Sequence, residues 1–443
     1  MRRINLAGLV AALIISLSHL ASLASVSERP PTRDALATKS YEFTNGQWFD
    51  GNRFVPATFY SVAGHLTLRR PTKIDSVIDL KGQYVVPPFA EAHTHNISRP
   101  PTQEELKPYI QQGIFYVMNQ GNLISAGPIP ASDPDSPVEV VYANGPLTPS
   151  GGHPVVLNER AVERGNLKLT KAELDGRAFF VVDDIADLDR KWPGILAAKP
   201  DFIKVYLGFI EEYEKRKADP SYVDKRGISP AVLREVVRRA HAVGLRVSAH
   251  IETAADFHAC LVAGVDIIAH LPGLRIGAAA GFSDRSIDRW IISESDAGLA
   301  AKKGTIVITT VIGGKKVINS KSEDYAPTRE IYQRNIATLS NHRVRLVIGS
   351  DYYEGTALAE VFLLGHQPLL GDGIEPLGVF DNLTLLKMWT QTTPQAIFPG
   401  RKIGRLREGY EASFLVLSGN PLDDFGNVRH ITMRFKQGRA LAG

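Results

Sequence analysis

Twelve histidines stand in a chain of 443 residues, and several fall where a strand-like run stops. His93 and His95 are two apart, a spacing that puts both imidazoles on one face of an extended strand. His250 closes Arg246-Val247-Ser248-Ala249-His250, and His270 closes Ile267-Ile268-Ala269-His270. Asp351 ends the run Leu346-Val347-Ile348-Gly349-Ser350-Asp351. Lys204 lies inside Phe202-Ile203-Lys204-Val205-Tyr206-Leu207, where an unpaired ammonium is costly to bury. Each of these reads alone as a satisfied polar residue of a core. Six such groups on five strand-like runs are harder to ascribe to chance. Imidazole and carboxylate together suit a borderline cation such as Zn²⁺. Burial lowers the pKa of a lysine, and the neutral amine can add carbon dioxide to become a carbamate whose two oxygens bridge two cations. The residue types therefore point to two divalent metal ions, Zn²⁺ before others, with a carboxylated Lys204.

These groups meet only if their strands open on one face. Strand-like runs recur at 84–87 leading to His95, 114–118, 138–142, 202–206, 245–250, 266–270, 305–310 and 345–351. Between them, Ser229-Pro230 opens a helix whose Val232, Leu233, Val236, Val237 and Ala240 recur at helical spacing, and 254–263 repeats the pattern. Eight strand-then-helix units over about 300 residues predict an α/β fold, a (β/α)₈ TIM barrel over 88–396 with its chemistry at the C-terminal strand ends. A doubly wound open sheet is the alternative arrangement. The flanks 41–87 and 397–443 carry turn signals at Asn45-Gly46, Asp50-Gly51-Asn52, Ala63-Gly64 and Gln437-Gly438. Each flank is short for its own core, so the two are expected to pair into one small β-sandwich domain.

Composition narrows the setting. A formal net charge of +4 is a poor footprint for nucleic acid, which leaves a small-molecule substrate as the expected partner. Behind Arg2-Arg3 no charged side chain occurs over residues 4–24, and Ser22 and Ala24 fit a cleavage site. Residues 1–24 thus read as a signal peptide, with a periplasmic or secreted product and no stable membrane insertion after cleavage. An N-terminal anchor is the rival reading, although the apolar centre falls short of the ~20 residues that span a bilayer. Cys260 is the sole cysteine and forbids an intrachain disulfide; its apolar neighbours mark it as packed core. Homo-oligomer formation stays open.

The set His93-Thr94-His95, Lys204, His250, His270 and Asp351, in that order, resembles the amidohydrolase superfamily in its binuclear members with a carboxylated lysine. The entry Leu80-Lys81-Gly82-Gln83-Tyr84-Val85-Val86-Pro87-Pro88, the 20 residues from His250 to His270 and the tail from Lys402-Ile403-Gly404 to Gly419-Asn420-Pro421-Leu422 extend the resemblance. Ser150-Gly151-Gly152-His153 is similar to the imidazolonepropionase-like and metal-dependent dipeptidase branch. The resemblance implies an exported amidohydrolase that cleaves a dipeptide or cyclic amide by attack of a metal-bridging hydroxide. His93, His95 and Asp351 would hold the more buried metal, His250 and His270 the second, and Lys204 would bridge. Asp351 would also carry the proton to the leaving nitrogen. His153 would steady the oxyanion and Tyr206 would bind a substrate carboxylate or carbonyl; a loop histidine and a barrel filler are their plain alternatives.

Two departures stand out. Glu91 occupies the place of an aspartate two residues before the first histidine, and Gly409-Tyr410-Glu411-Ala412-Ser413 lacks a terminal aspartate. Deamination of a heterocycle is a second reading, weakened because mononuclear deaminases carry a glutamate where this chain has Thr253, with Glu252 one place early. Lactone or ester hydrolysis and a non-catalytic metal-binding role complete the alternatives.

Overall fold

The computed structural model describes residues 39–124, 135–283, 286–314, 321–369 and 375–441, so the expected signal peptide lies outside the described residues. From Lys39 to Gly443 the chain forms one compact unit. Strands β1 (Tyr41–Phe49), β2 (Phe54–Val62) and β3 (His65–Thr67) pair antiparallel, while β4 (Ser76–Asp79) and β5 (Tyr84–Val86) lie parallel to β1. Asp50 makes the first turn: its Oδ1 accepts from the N–H groups of Asn52 at 2.8 Å and Arg53 at 3.0 Å. Asn45-Gly46, expected as a turn, is instead a bulge inside β1, where the register against β2 shifts between Phe43 and Gly46. The reason is that Asn45 takes its left-handed φ of 54° without reversing the chain, and pairing resumes beyond it.

A second expectation fails at 84–95, which is two strands rather than one. Pro87 and Pro88 offer no N–H to a ladder, so β5 stops at Val86 and β6 (Phe89–Thr94) starts afresh in another sheet. There β6, β7 (Ile114–Asn119) and β8 (Glu139–Tyr142) pair parallel. The remaining parallel strands are β9 (Leu147–Thr148), β10 (Phe180–Val181), β11 (Ile203–Tyr206), β12 (Val247–His250), β13 (Ile267–Ala269), β14 (Ile306–Ile308) and β15 (Arg345–Val347). They form a seven-stranded sheet in the order β10-β9-β11-β12-β13-β14-β15. The fold is therefore mixed α/β around parallel strands, and β6, β7, β11 and β12 are buried along their whole length, as strands covered on both faces must be. β9 and β10, two residues each, are too short to leave a sequence pattern.

Strands β16 (Phe414–Leu417), β17 (Ile431–Lys436) and β18 (Arg439–Ala440) return the chain to its beginning. β16 pairs antiparallel with β5, giving one eight-stranded sheet in the order β18-β17-β16-β5-β1-β2-β3 with β4 on β1. Its core is aromatic: Phe43 meets Phe414 edge-on at 5.0 Å and Phe435 at 5.1 Å, and Trp48 lies 4.4 Å from Phe59.

The helices begin where their caps allow. Ser229 Oγ accepts from Val232 N–H at 3.1 Å, and helix Pro230–Ala242 buries Val232, Leu233, Val236, Val237 and Ala240. Thr253 and Asp256 form a capping box for helix Ala254–Ala263, which ends at Gly264 in the left-handed conformation and buries Cys260. Asp256 also accepts from the N–H groups of Phe209 and Ile210, binding the segment after β11 to the one after β12. Among the described residues no helix is long and apolar enough to cross a membrane.

Candidate functional site

The C-terminal ends of β6, β11, β12, β13 and β15 bring the sequence-selected groups together. His93 Nε2 lies 3.3 Å from His95 Nε2 and 3.6 Å from Asp351 Oδ1, and His95 Nε2 lies 3.3 Å from that same oxygen. The His270 ring stands 4.7 Å from His93 and 4.6 Å from His250. His270 and Asp351 sit just past their strands with left-handed φ values of 80° and 48°. Such backbone is strained for non-glycine residues and persists only where the surroundings enforce it.

Hydrogen bonds fix which ring nitrogens are free. The carbonyl of Gly121 can only accept, so His95 Nδ1 donates to it at 2.9 Å and the neutral ring keeps its lone pair on Nε2. Thr310 Oγ1 donates to the carbonyl of Thr309 at 2.9 Å and therefore accepts from His270 Nδ1 at 2.8 Å, which leaves Nε2 of His270 with the lone pair. His250 is the reverse case. Its Nε2 donates to Glu252 Oε1 at 3.1 Å, so Nδ1 is the basic nitrogen.

Charge in this cluster is set by burial. Burial, ahead of repulsion from neighbouring cationic groups, holds His93, His250 and His270 well below the usual histidine value. For Asp351 burial pushes upward, but His95, His270 and Lys204 outweigh it and keep the carboxyl below its ordinary range. Lys204 is 1% exposed, and its Nζ has no hydrogen-bond partner among the described residues. Burial pulls its ammonium down to about 7, against the pull of Asp351. With Nδ1 of His95 given to Gly121, the 3.3 Å contact of its Nε2 with Asp351 Oδ1 is favourable only with a proton or a metal ion between the two atoms. His93, His270 and Asp351 offer donor atoms all within 4.8 Å of one another, so the donor set fits a metal ion.

The remaining candidates border the same cavity of about 240 Å³. The His153 ring lies 5.2 Å from Tyr206 and 5.4 Å from His250, and Tyr206 is buried, which holds its phenol well above the usual tyrosine value. Lys204 Nζ lies 5.5 Å from the centre of the Tyr206 ring.

Sequence reasoning passed over several groups here. His153 Nδ1 is 3.0 Å from both Asp224 Oδ1 and Arg275 Nη2, and Arg275 Nε lies 3.3 Å from Glu252 Oε1. Tyr353 stacks on His95 at 5.5 Å with 7° between the rings. Asp224 and Arg275 come from loops 71 and 122 residues away from His153 and carry no local signal. Glu252 stands out in the sequence only as one place early for a deaminase glutamate, although period two also places it beside His250. Thr253 is spent on capping its helix, so the deaminase position holds no acid or base. Glu91, fully buried and held up to about 8 by burial, accepts from Ala357 N–H at 2.9 Å and bonds the Ser350 hydroxyl.

No protein-family model matches the chain. Ochratoxinase of Aspergillus niger is 24% identical over 222 residues; the match takes 48% of this chain and spans 42% of the length of that relative. The crystal structure of Aspergillus niger ochratoxinase aligns with a TM-score of 0.65 at 16% identity, over 92% of this chain and 96% of that one. An amidohydrolase gives 0.64 at 19% identity, over 91% and 99%. A Xaa-Pro dipeptidase with methionine bound in its active site gives 0.62 at 16%, over 91% and 100%. A prolidase, molinate hydrolase and phenylurea hydrolase B share the likeness. The chain shares its fold with these structures, whose names are those of hydrolases, and the likeness runs in the same direction as the resemblance that the motifs carry.

Proposed function

We propose that this chain is an exported, metal-dependent hydrolase of an amide bond in a dipeptide or cyclic amide. The observation that carries the reading is the convergence of His93, His95 and Asp351 at 3.3–3.6 Å, beside which stands the buried Lys204 of β11, its Nζ without a hydrogen-bond partner among the described residues. Ala92 N–H donates to Ile348 O at 2.8 Å and Asp201 N–H to Tyr142 O at 2.9 Å, so each edge of the three-stranded sheet is joined to the segment beside it; these links support closure into an eight-stranded barrel. The eight-stranded terminal sheet would then fold over its aromatic core as the small β-sandwich. Residues 4–24, uncharged behind Arg2-Arg3, support export to the periplasm or beyond.

In this reading His93, His95 and Asp351 would hold one divalent ion and His250 and His270 a second, Lys204 as its carbamate would add an anionic ligand, and Zn²⁺ is the expected metal. Bound metals would supply Lewis acidity to a substrate carbonyl and acidify a water. Asp351, anionic in its setting, takes a proton from the attacking water and returns it to the leaving nitrogen. His153, accepting at Nδ1 from Arg275 Nη2 at 3.0 Å, carries its proton on Nε2 and donates a hydrogen bond from there to the carbonyl oxygen as negative charge builds on it. The Tyr206 hydroxyl orients a substrate carboxylate or carbonyl. Lactones and esters present the same carbonyl and are admitted by the same groups.

Metal analysis of the purified protein and a dipeptide and amide library test this. Two equivalents of metal and release of free amine are expected, and Asp351→Asn should lower turnover by about 10²–10⁴-fold while the fold persists. Metal-loaded protein inert to amides, esters and lactones would instead support a non-catalytic metal-binding role.

A further inference from the structure

The cavity over the histidines is small for a substrate. At about 240 Å³ it falls below the ~300 Å³ at which ligand pockets begin. It adjoins, however, a second pocket of about 750 Å³ on the side of β6, β7 and helix Val155–Glu163. The two share His95, His153, Leu157, Tyr206 and Tyr353, so four rings and one leucine stand at their boundary. Beyond it the walls include Ile97, Leu123, Ile124, Pro146, Leu157 and Leu167.

Two features say what this chamber takes. Four of its polar side chains are engaged within the protein: Arg177 Nε donates to Ile124 O at 3.1 Å, Asn158 to Pro154 O at 3.0 Å, Asn122 to Asn144 at 2.8 Å, and Glu105 accepts from Ser98 at 2.8 Å. Along these walls an occupant gains mainly apolar contact. Leu123 and Leu157, both lining this space, are 41% and 47% exposed, apolar surface of which an occupant would cover part. The stacked His95 and Tyr353 rings and the edge-on His153 and Tyr206 rings favour a flat group passing between them.

We propose that the second chamber is a specificity subsite that holds one large, flat, apolar substituent of the substrate, while the small cavity holds the scissile bond and a compact group on its other side. This rests on the amide-hydrolase reading for the word substrate, but the subsite can be tested by binding alone. The probes are 2-naphthoylglycine and glycine 2-naphthylamide, which carry the ring on the acyl and on the amine side, against N-acetylglycine and glycine methylamide. Calorimetry on the metal-loaded full chain is expected to show at least one naphthyl probe binding tenfold or more tighter than its compact partner. Ala161→Trp, which fills the chamber from its helix, and Leu123→Ser, at a position 41% exposed, should each shrink that ratio at least threefold. Equal affinities in the unaltered protein, or a ratio that neither variant changes, overturn the subsite. Size-selective binding without hydrolysis of any amide keeps the subsite and removes the amide reading; hydrolysis without size selection does the reverse.

Discussion

Glu252 shows how much of this site depends on groups behind the metal-binding side chains. Its Oε1 lies 3.1 Å from His250 Nε2 and 3.3 Å from Arg275 Nε, and Arg275 in turn reaches Asp224 Oδ2 at 3.3 Å and His153 Nδ1 at 3.0 Å. One carboxylate thus fixes the tautomer of a proposed ligand and, through a single guanidinium, the ring that faces the substrate. A histidine whose second nitrogen donates to a carboxylate is a more basic and better oriented ligand. Glu252→Ala is therefore expected to weaken metal affinity by about 10–100-fold, measured by competition with a chelator of known affinity. Glu252→Gln keeps an acceptor for His250 and should lose less. If the alanine variant holds metal as tightly as the parent, the tautomer argument for His250 is wrong.

Between elements, the corresponding device is Glu91 on β6. Its two oxygens tie the Ser350 hydroxyl and the Ala357 N–H, one on each side of the segment that carries Asp351 from β15 to helix Ala357–Leu364. That segment must hold Asp351 at a left-handed φ of 48°, a conformation that persists only where its surroundings enforce it. Glu91→Ala would leave a buried N–H and a buried hydroxyl without their acceptor, at a cost of about 1–3 kcal/mol for each group. A lower urea midpoint with unchanged m-value is the expected result, together with reduced turnover; an unmoved midpoint would mean that other contacts hold the segment. The resemblance marks position 91 as unusual, but only the pairing of β6 against the residues after β15 shows what the longer side chain reaches. The same limit explains the misplaced turn at Asn45-Gly46. Turn chemistry is local, whereas bulge or reversal is decided by where β2 resumes pairing.

At the scale of the molecule, the most legible features were those with a period. Period two exposed His93 and His95, and buried apolar runs ending in His250, His270 and Asp351 marked strand ends, because fully covered parallel strands write a continuous apolar signal. Asp224 and Arg275 were not legible, since loops bring them to His153 only once the strands are in place. The strand ends that meet at the site also belong to different sheets. His93 lies on β6 of the three-stranded sheet and His95 follows it directly, whereas His250 lies on β12, and His270 and Asp351 follow β13 and β15, all of the seven-stranded sheet. A cation held by both groups would act as a crosslink that the folded chain binds and the unfolded chain does not. At free metal a hundred times its dissociation constant, such binding adds about 2.7 kcal/mol. No disulfide can share that duty, because Cys260 is the only cysteine. Chelation followed by calorimetry should therefore lower the melting temperature by several degrees, about 2–5 °C, and re-addition of Zn²⁺ should restore it. Reductant should leave the melting temperature unchanged. Lys204→Ala, which removes the proposed anionic ligand, should shrink the metal-dependent part of the shift. A melting temperature indifferent to chelator in the parent protein would show that the two sheets hold together without the ions and that the histidine cluster does not crosslink them.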